Sequence, residues 1–265
     1  MTYFNNKTIW ITGASSGIGE AFVKELSQYD CKLIISSRKV DELERGKKEA
    51  GLTDDDCFIL PLDLADYYNM KPVVEKAVSH FGKVDLLINN AGLSQRSLIA
   101  ETDISVDEKL MQVNYLGTVA LSKAILPHFI ENKAGHFAVV TSLMGKFGSP
   151  YRSGYCGAKH ALHGFFDVMR MEHEKDGVAV TMICPGFIQT NVSKNALTGD
   201  GSAQQTMDEA TAKGLTPKKC VQKALKAIQR KKFETYIGRG EVKGIYMKRF
   251  FPKQLHKLVL RSQVR

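Results

Sequence analysis

The stretch Lys7-Thr8-Ile9-Trp10-Ile11-Thr12-Gly13-Ala14-Ser15-Ser16-Gly17-Ile18-Gly19 decides the fold. Its first six residues form a short apolar, β-branched run, and the glycines that follow break it before a helical pattern reaching Tyr29. A strand, a glycine turn and a helix in that order let backbone approach a phosphate closely, and the helix N-terminus adds unpaired N–H groups and a positive dipole. A pyrophosphate fits such a turn, held around Gly13, Ser15, Ser16, Gly17, Ile18 and Gly19. The spacing departs from Gly-x-Gly-x-x-Gly, so the flanking strand and helix carry this reading more than the glycines do.

Outward from this unit, Lys32 to Ser37 reads as a second strand, whose end is where an acidic side chain would bind the ribose 2′-hydroxyl of NAD. No acid stands there. Ser36, Ser37, Arg38 and Lys39 occupy the corner, and a guanidinium can clamp a 2′-phosphate through two hydrogen bonds. NADP(H) is therefore expected over NAD(H), against the plainer reading of Arg38 as a residue that only opens the next helix. The pattern then repeats. Cys57 to Leu60 reads as a strand before Asp63, Tyr67 to Phe81 as a helix, and Val84 to Asn89 as a strand entering Asn90-Ala91-Gly92. A helical stretch near Val106 to Ile130 precedes a strand over His136 to Thr141 that ends at Ser142. A helix through Tyr155 to about Lys175 and a strand over Val178 to Cys184 follow, the latter stopped by Pro185-Gly186. An irregular stretch to Leu215, a helix over Pro217 to Arg230 and a strand over Phe233 to Gly238 complete the pattern. Alternating elements with strongly apolar strands predict an α/β fold: a parallel sheet covered on both faces, with ligands outside the carboxyl ends of its strands. The Gly13 turn, Asn90, Ser142 and Gly186 all fall at such ends, so one crevice can collect them.

With 265 residues and no linker-like break before its last fifth, the chain reads as one domain over residues 1–241, including a substrate loop near 186–215, followed by an extension over 242–265. Net charge is +9, but residues 213–265 hold 16 Lys/Arg against 2 Asp/Glu, so all of the basicity is C-terminal. Such a segment can face nucleic acid, an anionic membrane or an acidic partner, or can be a solvated surface. No nucleic-acid module is visible and base-stacking aromatics are sparse among the charges, so no nucleic-acid partner is expected. The extension mixes Ile245, Tyr246, Met247, Phe250, Phe251, Leu255, Leu258, Val259 and Leu260 with seven Lys/Arg and no acid. As short amphipathic helices it can touch a membrane surface, form a lid over the substrate or pack on a partner subunit, and it should be ordered against the fold or a partner subunit. The 5 cysteines are odd in number and lack metal-ligand spacing, so free thiols in a reducing compartment and no metal site are expected. No apolar run reaches the length of a membrane span, and the first residues lead straight into a strand. A cytoplasmic protein with at most peripheral membrane contact is the expectation.

The remaining chemistry lies in Tyr155-Cys156-Gly157-Ala158-Lys159. A tyrosine and a lysine four residues apart on a helix share one face. Free tyrosine titrates near ~10, and a neighbouring cation favours the phenolate, which would make the pair a proton donor near neutral pH. Alone, the spacing is as ordinary as any helix-surface pair, and its company decides.

That company is Thr12-Gly-x-x-x-Gly-Ile-Gly19, Asp63, Asn89-Asn-Ala-Gly92, Asn114, Ser142, Tyr155-x-x-x-Lys159 and Pro185-Gly186, in this order. To about Gly238 the chain resembles the short-chain dehydrogenase/reductase family, and within it most the branch of the 11β-hydroxysteroid dehydrogenase-like reductases, without a counterpart of their N-terminal anchor. The resemblance implies a Rossmann-type doubly wound parallel sheet of about seven strands, a homodimer or homotetramer, and hydride transfer between NADP(H) and a carbonyl or secondary alcohol. It implies Tyr155 as general acid/base, Ser142 as hydrogen-bond donor to the substrate oxygen, and Lys159 as the residue that holds the nicotinamide ribose and depresses the tyrosine pKa. Asn114 supports a water-linked proton path by the same resemblance. Asp63, Leu64, Asn90, Ala91 and Gly92 resemble the adenine side of the site, and Pro185, Gly186, Ile188 and Thr190 the carboxamide and phosphate side.

The segments expected to border the crevice, near 93–98, 143–151 and 187–207, offer Leu93, Leu143, Met144, Phe147, Tyr151, Phe187, Ile188 and Leu197, with Arg96, Lys146, Arg152 and Lys194 as fixed charges. An apolar ketone or alcohol suits that lining better than a phosphorylated sugar. His128, His136, His160 and His163 receive no role. Because a fold does not fix function, a non-catalytic NADP(H)-binding sensor stays open beside the oxidoreductase, and the intact Ser142, Tyr155 and Lys159 favour the enzyme.

Overall fold

β1 (Thr8–Thr12) is buried at all five positions, as a strand must be when helices cover both faces of its sheet. Ile9 and Ile11 join one apolar cluster, with Phe22, Leu33 and Val221, while Trp10 between them joins the other, with Leu121, Phe137 and Phe166. That alternation is the two-residue period of a strand packed on both sides. In the computed structural model, which describes residues 3–262, β1 belongs to a seven-stranded sheet. Expectations that touch residues 1–2 and 263–265 lie outside the described residues.

From β1 the chain runs through α1 (Gly17–Leu26), β2 (Lys32–Ser36), α2 (Val40–Glu49), β3 (Cys57–Ile59), α3 (Met70–Phe81) and β4 (Leu86–Asn89). α4 (Ile104–Met111), a π-helical turn (Gln112–Leu116) and α5 (Gly117–Glu131) lead to β5 (Gly135–Val140), and α6 (Ser153–Glu172) leads to β6 (Val178–Pro185). α7 (Glu209–Ala212), α8 (Pro217–Gln229), β7 (Glu234–Ile237), α9 (Lys243–Phe250) and α10 (Pro252–Arg261) follow. The strands lie in the order β3-β2-β1-β4-β5-β6-β7, all parallel. The order reverses between β1 and β4, and an open α/β sheet forms its crevice at such a switch point. Register sets Thr12 level with Ser36 and Ile11 with Ile88, so the glycine turn emerges between Arg38 and Asn90.

The structure departs from the sequence pattern in three places. The single helix expected near Val106 to Ile130 is interrupted by the π-helical turn, because Asn114 turns inward to the loop after β4: its Oδ1 accepts the Leu93 N–H at 2.7 Å and its Nδ2 donates to the Leu93 carbonyl at 2.9 Å. The stretch read as irregular to Leu215 contains α7. Strand and helix ends shift by one to three residues; Val84, for instance, leaves β4 because its N–H donates to His128 Nε2 at 3.2 Å. As far as Ser262, the C-terminal extension packs on the fold. Leu255 is buried with Leu143 and Phe147, and Val242, Ile245, Met247 and Val259 pack partly buried around them. Close approach of α9 needs Gly244, since a Cβ there would lie 2.8 Å from Phe147 Cζ.

Candidate active site

One crevice of about 1980 Å³ runs along the carboxyl ends of the strands. At its β1–β2 end, Gly13 has φ +65° and Gly17 φ +59°, the left-handed region where only glycine is unstrained. A Cβ on Gly13 would lie 2.7 Å from Ala91 Cα, and one on Gly19 2.1 Å from the Gly13 carbonyl oxygen, so the turn exists only without side chains. α1 begins here with no side-chain cap from Ser16, which leaves the first-turn N–H groups directed at the crevice. The donor set and the glycine cradle fit a dinucleotide pyrophosphate. Thr12 ties the next loop to this turn: its Oγ1 accepts the N–H groups of Asn90 at 3.0 Å and Ala91 at 3.2 Å, and Asn90 Nδ2 donates to the Thr12 and Gly13 carbonyls.

Ser37 and Arg38 border this end, Arg38 exposed and without an ion pair among the described residues. Its neighbour in the wall, Arg45, is held by Glu20, Glu42 and Glu49 at 3.2, 2.9 and 2.8 Å, whereas Arg38 and the adjacent Lys39 are both exposed at the rim with no ion pair among the described residues. Asp63 is exposed on the rim, its Oδ1 accepting the Ala65 N–H at 2.9 Å, and Leu64 is buried behind it. Gly92, Pro185, Gly186, Ile188 and Thr190 also line the crevice, with Ile188 buried and Gly186 pressed on Glu241, where a Cβ would lie 2.4 Å from Oε1.

Tyr155 and Lys159 face the middle of the crevice from α6, with Ser142 opposite at the end of β5. Lys159 is buried, donates from Nζ to the Val140 carbonyl at 3.0 Å, and stands 5.9 Å from the centre of the Tyr155 ring. Ser142 Oγ accepts the Met144 N–H at 3.1 Å and donates to the Pro185 carbonyl at 3.4 Å. Asn114 sits behind Gly92, whose Cβ would be 3.0 Å from its Oδ1 and 3.4 Å from Lys159 Nζ. All four expected catalytic side chains thus converge. The expected depression of the phenol pKa is not found in the chain without cofactor: although Tyr155 is partly exposed along the crevice, desolvation raises its pKa, with a hydrogen bond to Ser142 and the charges of Arg96 and Arg152 pulling it back. Desolvation also pushes Lys159 down to about 8, the Cys184 thiol acting in the opposite sense.

Leu93, Leu143, Met144, Phe147, Phe187, Ile188 and Leu197 line the substrate side as expected; Tyr151, Lys146 and Lys194 do not. Lys146 turns away to Glu234 at 2.8 Å. The extension, for which a lid over the substrate is one of the sequence expectations, supplies part of this side, and two further features left no signal in the sequence. Met247, Leu255, Leu258 and Val259 of the extension form part of the wall. Arg96 and Arg152 are buried and share Asp208 of the substrate loop. His163, Cys184 and Glu234 meet beneath the wall, where the Cys184 thiol donates to Glu234 at 3.2 Å and burial keeps it protonated by pushing its pKa up. These groupings join residues far apart in the chain and leave no spacing signal.

A parallel doubly wound sheet whose carboxyl ends gather a glycine turn, a serine and a Tyr-x-x-x-Lys pair defines a dinucleotide-binding oxidoreductase domain. Residues 7–200 match the family described as short chain dehydrogenase, and the chain belongs to it. It is 39% identical over 254 residues to "Dehydrogenase/reductase SDR family protein 7-like" of Drosophila melanogaster, covering 94% of this chain and 78% of that protein. A short chain dehydrogenase/reductase from Burkholderia phymatum solved in complex with NAD superposes with a TM-score of 0.83 at 20% identity, covering 100% of this chain and 98% of that one. An alcohol dehydrogenase from the archaeon Thermococcus sibiricus complexed with 5-hydroxy-NADP gives 0.72 at 26% identity, covering 88% of this chain and 97% of that one.

Proposed function

We propose that this chain is an NADP(H)-dependent oxidoreductase that interconverts a carbonyl and a secondary alcohol on a lipophilic substrate. The observation that carries the reading is Tyr155, flanked by Ser142 and the buried Lys159, on the floor of a crevice whose substrate side is largely apolar. The turn from Gly13 to Gly19, with Ser15, Ser16 and the α1 N-terminus, would hold the pyrophosphate, and Ser37 and Arg38 the 2′-phosphate. Asp63, Leu64 and the backbone of Asn90 to Gly92 would border the adenine; Lys159, Pro185, Gly186, Ile188 and Thr190 would border the nicotinamide half. When bound, the nicotinamide supplies or accepts the hydride.

The chain's own residues handle the proton. As negative charge builds on the carbonyl oxygen, the Ser142 hydroxyl donates a hydrogen bond to it and the Tyr155 phenol donates its proton; in oxidation the phenolate takes that proton back. The desolvation that raises the phenol pKa keeps Tyr155 protonated and ready to donate at neutral pH, while Lys159 limits the cost of the phenolate. Asn114, fixed by two bonds to Leu93, would hold the water that reconnects Tyr155 to solvent.

The outer face of the extension supports contact with an anionic membrane surface. Tyr246, Phe250, Phe251, Leu258 and Leu260 are exposed there beside Lys248, Arg249, Lys253, Lys257 and Arg261, and Leu258 also borders the crevice. No helix among the described residues is long and apolar enough to cross a membrane. A lipophilic carbonyl would then enter from the bilayer surface. The test is a panel of polar and lipophilic ketones followed by NADPH absorbance: NADPH-dependent turnover rising with substrate lipophilicity is expected, and no turnover on any carbonyl would overturn the reading.

A further inference from the structure

Behind the Ser142 side of the crevice, His163 of α6, Cys184 of β6 and Glu234 at the start of β7 bring three ligand atoms within 4.8 Å of one another, the one such His/Cys/carboxylate group among the described residues. The three stand 21 and 50 residues apart in the chain, so no spacing announces them. Cys184 is fully buried and His163 is 7% exposed, while the Glu234 side chain keeps 25% of its surface and opens the group to solvent. The Cys184 thiol donates to Glu234 Oε1 at 3.2 Å and faces His163 Nε2 at 3.8 Å. His163 Nδ1 lies 3.7 Å from the same carboxylate oxygen. Both imidazole contacts are longer than an ordinary N–H···O bond, and the ring has no closer polar partner among the described residues.

A loosely held, buried imidazole beside a thiol and a carboxylate is the donor set of a zinc-class cation. Such an ion holds nitrogen, sulfur and oxygen at about 2.0–2.3 Å in a tetrahedron, which puts the ligand atoms about 3.3–3.7 Å apart. The separations of 3.2, 3.7 and 3.8 Å bracket that span, and a small turn of the ring brings one nitrogen onto both partners. Charge balances as well. Lys146 Nζ now neutralises Glu234 at 2.8 Å, and its side chain is 23% exposed. On binding, the Cys184 S–H bond gives way to a sulfur–metal bond and its proton goes to water; thiolate and carboxylate then offset the two positive charges, and Lys146 turns to solvent. The Thr141 hydroxyl, 3.2 Å from Sγ, and the Tyr236 hydroxyl, bonded to Glu234, would steady the two anionic ligands from behind.

We propose that His163, Cys184 and Glu234 form a site for one thiophilic divalent cation of the zinc class, with water in the fourth position, and that filling it slows turnover by shifting Ser142. The ligands bracket that serine. Cys184 precedes Pro185, whose carbonyl accepts from Ser142 Oγ at 3.4 Å. On the other side a Cβ on Gly145, three residues after Ser142, would lie 2.9 Å from His163 Nε2, so the ring is pressed on the turn that carries the serine. Drawing thiol and imidazole onto one ion moves both supports, and a misplacement on the order of 1 Å at a reacting group costs about a hundredfold in rate. The effect on turnover rests on Ser142 acting as proposed above; the binding of the cation does not.

The test strips the full chain with EDTA, removes the chelator and titrates with Co2+, which takes zinc's ligands and reports a bound thiolate by a charge-transfer band in the near ultraviolet. The band should saturate at one equivalent and vanish when Zn2+ is added. Cys184→Ala should abolish it, Glu234→Gln should weaken binding by about tenfold or more, and Cys220→Ala in α8 should change nothing. Lys146→Ala removes no ligand but frees the Glu234 oxygen, so binding should tighten severalfold. No saturable band in the native chain, a band that survives Cys184→Ala, or binding that fails to tighten in Lys146→Ala would overturn the site. If Cys184→Ala does not fold, Glu234→Gln and Lys146→Ala, at the more exposed end of the group, decide. Carbonyl turnover should fall about tenfold as Zn2+ saturates the native chain and stay constant in Cys184→Ala. Unchanged turnover at full occupancy would overturn the effect on Ser142. In a chain that reduces no carbonyl the proposed activity fails, and the cobalt titration still decides the site.

Discussion

At the β1–β2 end of the crevice the surface is backbone and short contiguous segments, whereas at the β5–β7 end side chains 56 and 112 residues apart in sequence meet in the wall. The first end recognises by shape and exposed charge: left-handed glycines, N–H groups without a side-chain cap and an exposed Arg38 with no ion pair among the described residues. The second recognises by enclosure, with apolar side chains, buried ion pairs and a C-terminal extension laid across them. A nucleotide is the same for every enzyme that uses it, so its site can be written in a fixed local pattern. A substrate pocket must differ among relatives, and a wall assembled from several loops can change one residue at a time. The two ends should therefore fail differently when altered.

The largest effect is expected at the junction between them. Lys159→Met removes the buried cation beneath Tyr155 and its bond to Val140, and turnover should fall by about a hundredfold even at saturating NADPH. If kcat is unchanged and only NADPH affinity falls, Lys159 belongs to the cofactor end alone.

A smaller and more selective effect belongs to the rim. Arg38→Ala should weaken NADPH binding about tenfold, leave NADH binding unchanged and leave KM for a carbonyl substrate where it was. Fluorescence titration with both nucleotides checks this, and an equal loss for NADPH and NADH would blur the division between the ends.

The smallest effect is one of stability, in the β5–β7 half. Burial pushes His163 down to about 4 and His136 to about 3, both below the ordinary histidine value. As pH falls from about 6.5 the unfolded chain takes up protons that these folded histidines refuse, so stability is fully present above that pH and is lost toward 4. The melting temperature should drop over this window, and His163→Gln should make the drop shallower. A parallel drop in the variant would remove His163 from the account.

The sequence made the first end legible and left much of the second unread. β1, β2 and β4 are recognisable because strands buried on both faces must be apolar throughout, and the Gly13 turn because no other residue tolerates its φ and its 2.7 Å approach to Ala91. Ser142, Tyr155 and Lys159 were visible as a set. Three things were not. The π-helical turn depends on Asn114 meeting Leu93, a tertiary contact with no local signature. The Arg96–Asp208–Arg152 cluster joins two arginines legible only as fixed charges on the crevice border to an acid that had no role in the sequence pattern. The rise of the Tyr155 pKa comes from desolvation that only the folded crevice supplies, so four-residue spacing alone suggested the opposite direction.

The central claim is that the two ends do separate jobs, nucleotide binding at one and proton transfer from Tyr155 at the other. Tyr155→Phe keeps the ring and deletes only the hydroxyl, so a single preparation can be titrated with NADPH and then assayed on the best carbonyl from the panel. The account predicts a dissociation constant within about twofold of the native chain, and turnover lower by about a hundredfold or more. Turnover close to native, or loss of NADPH binding together with activity, would contradict it.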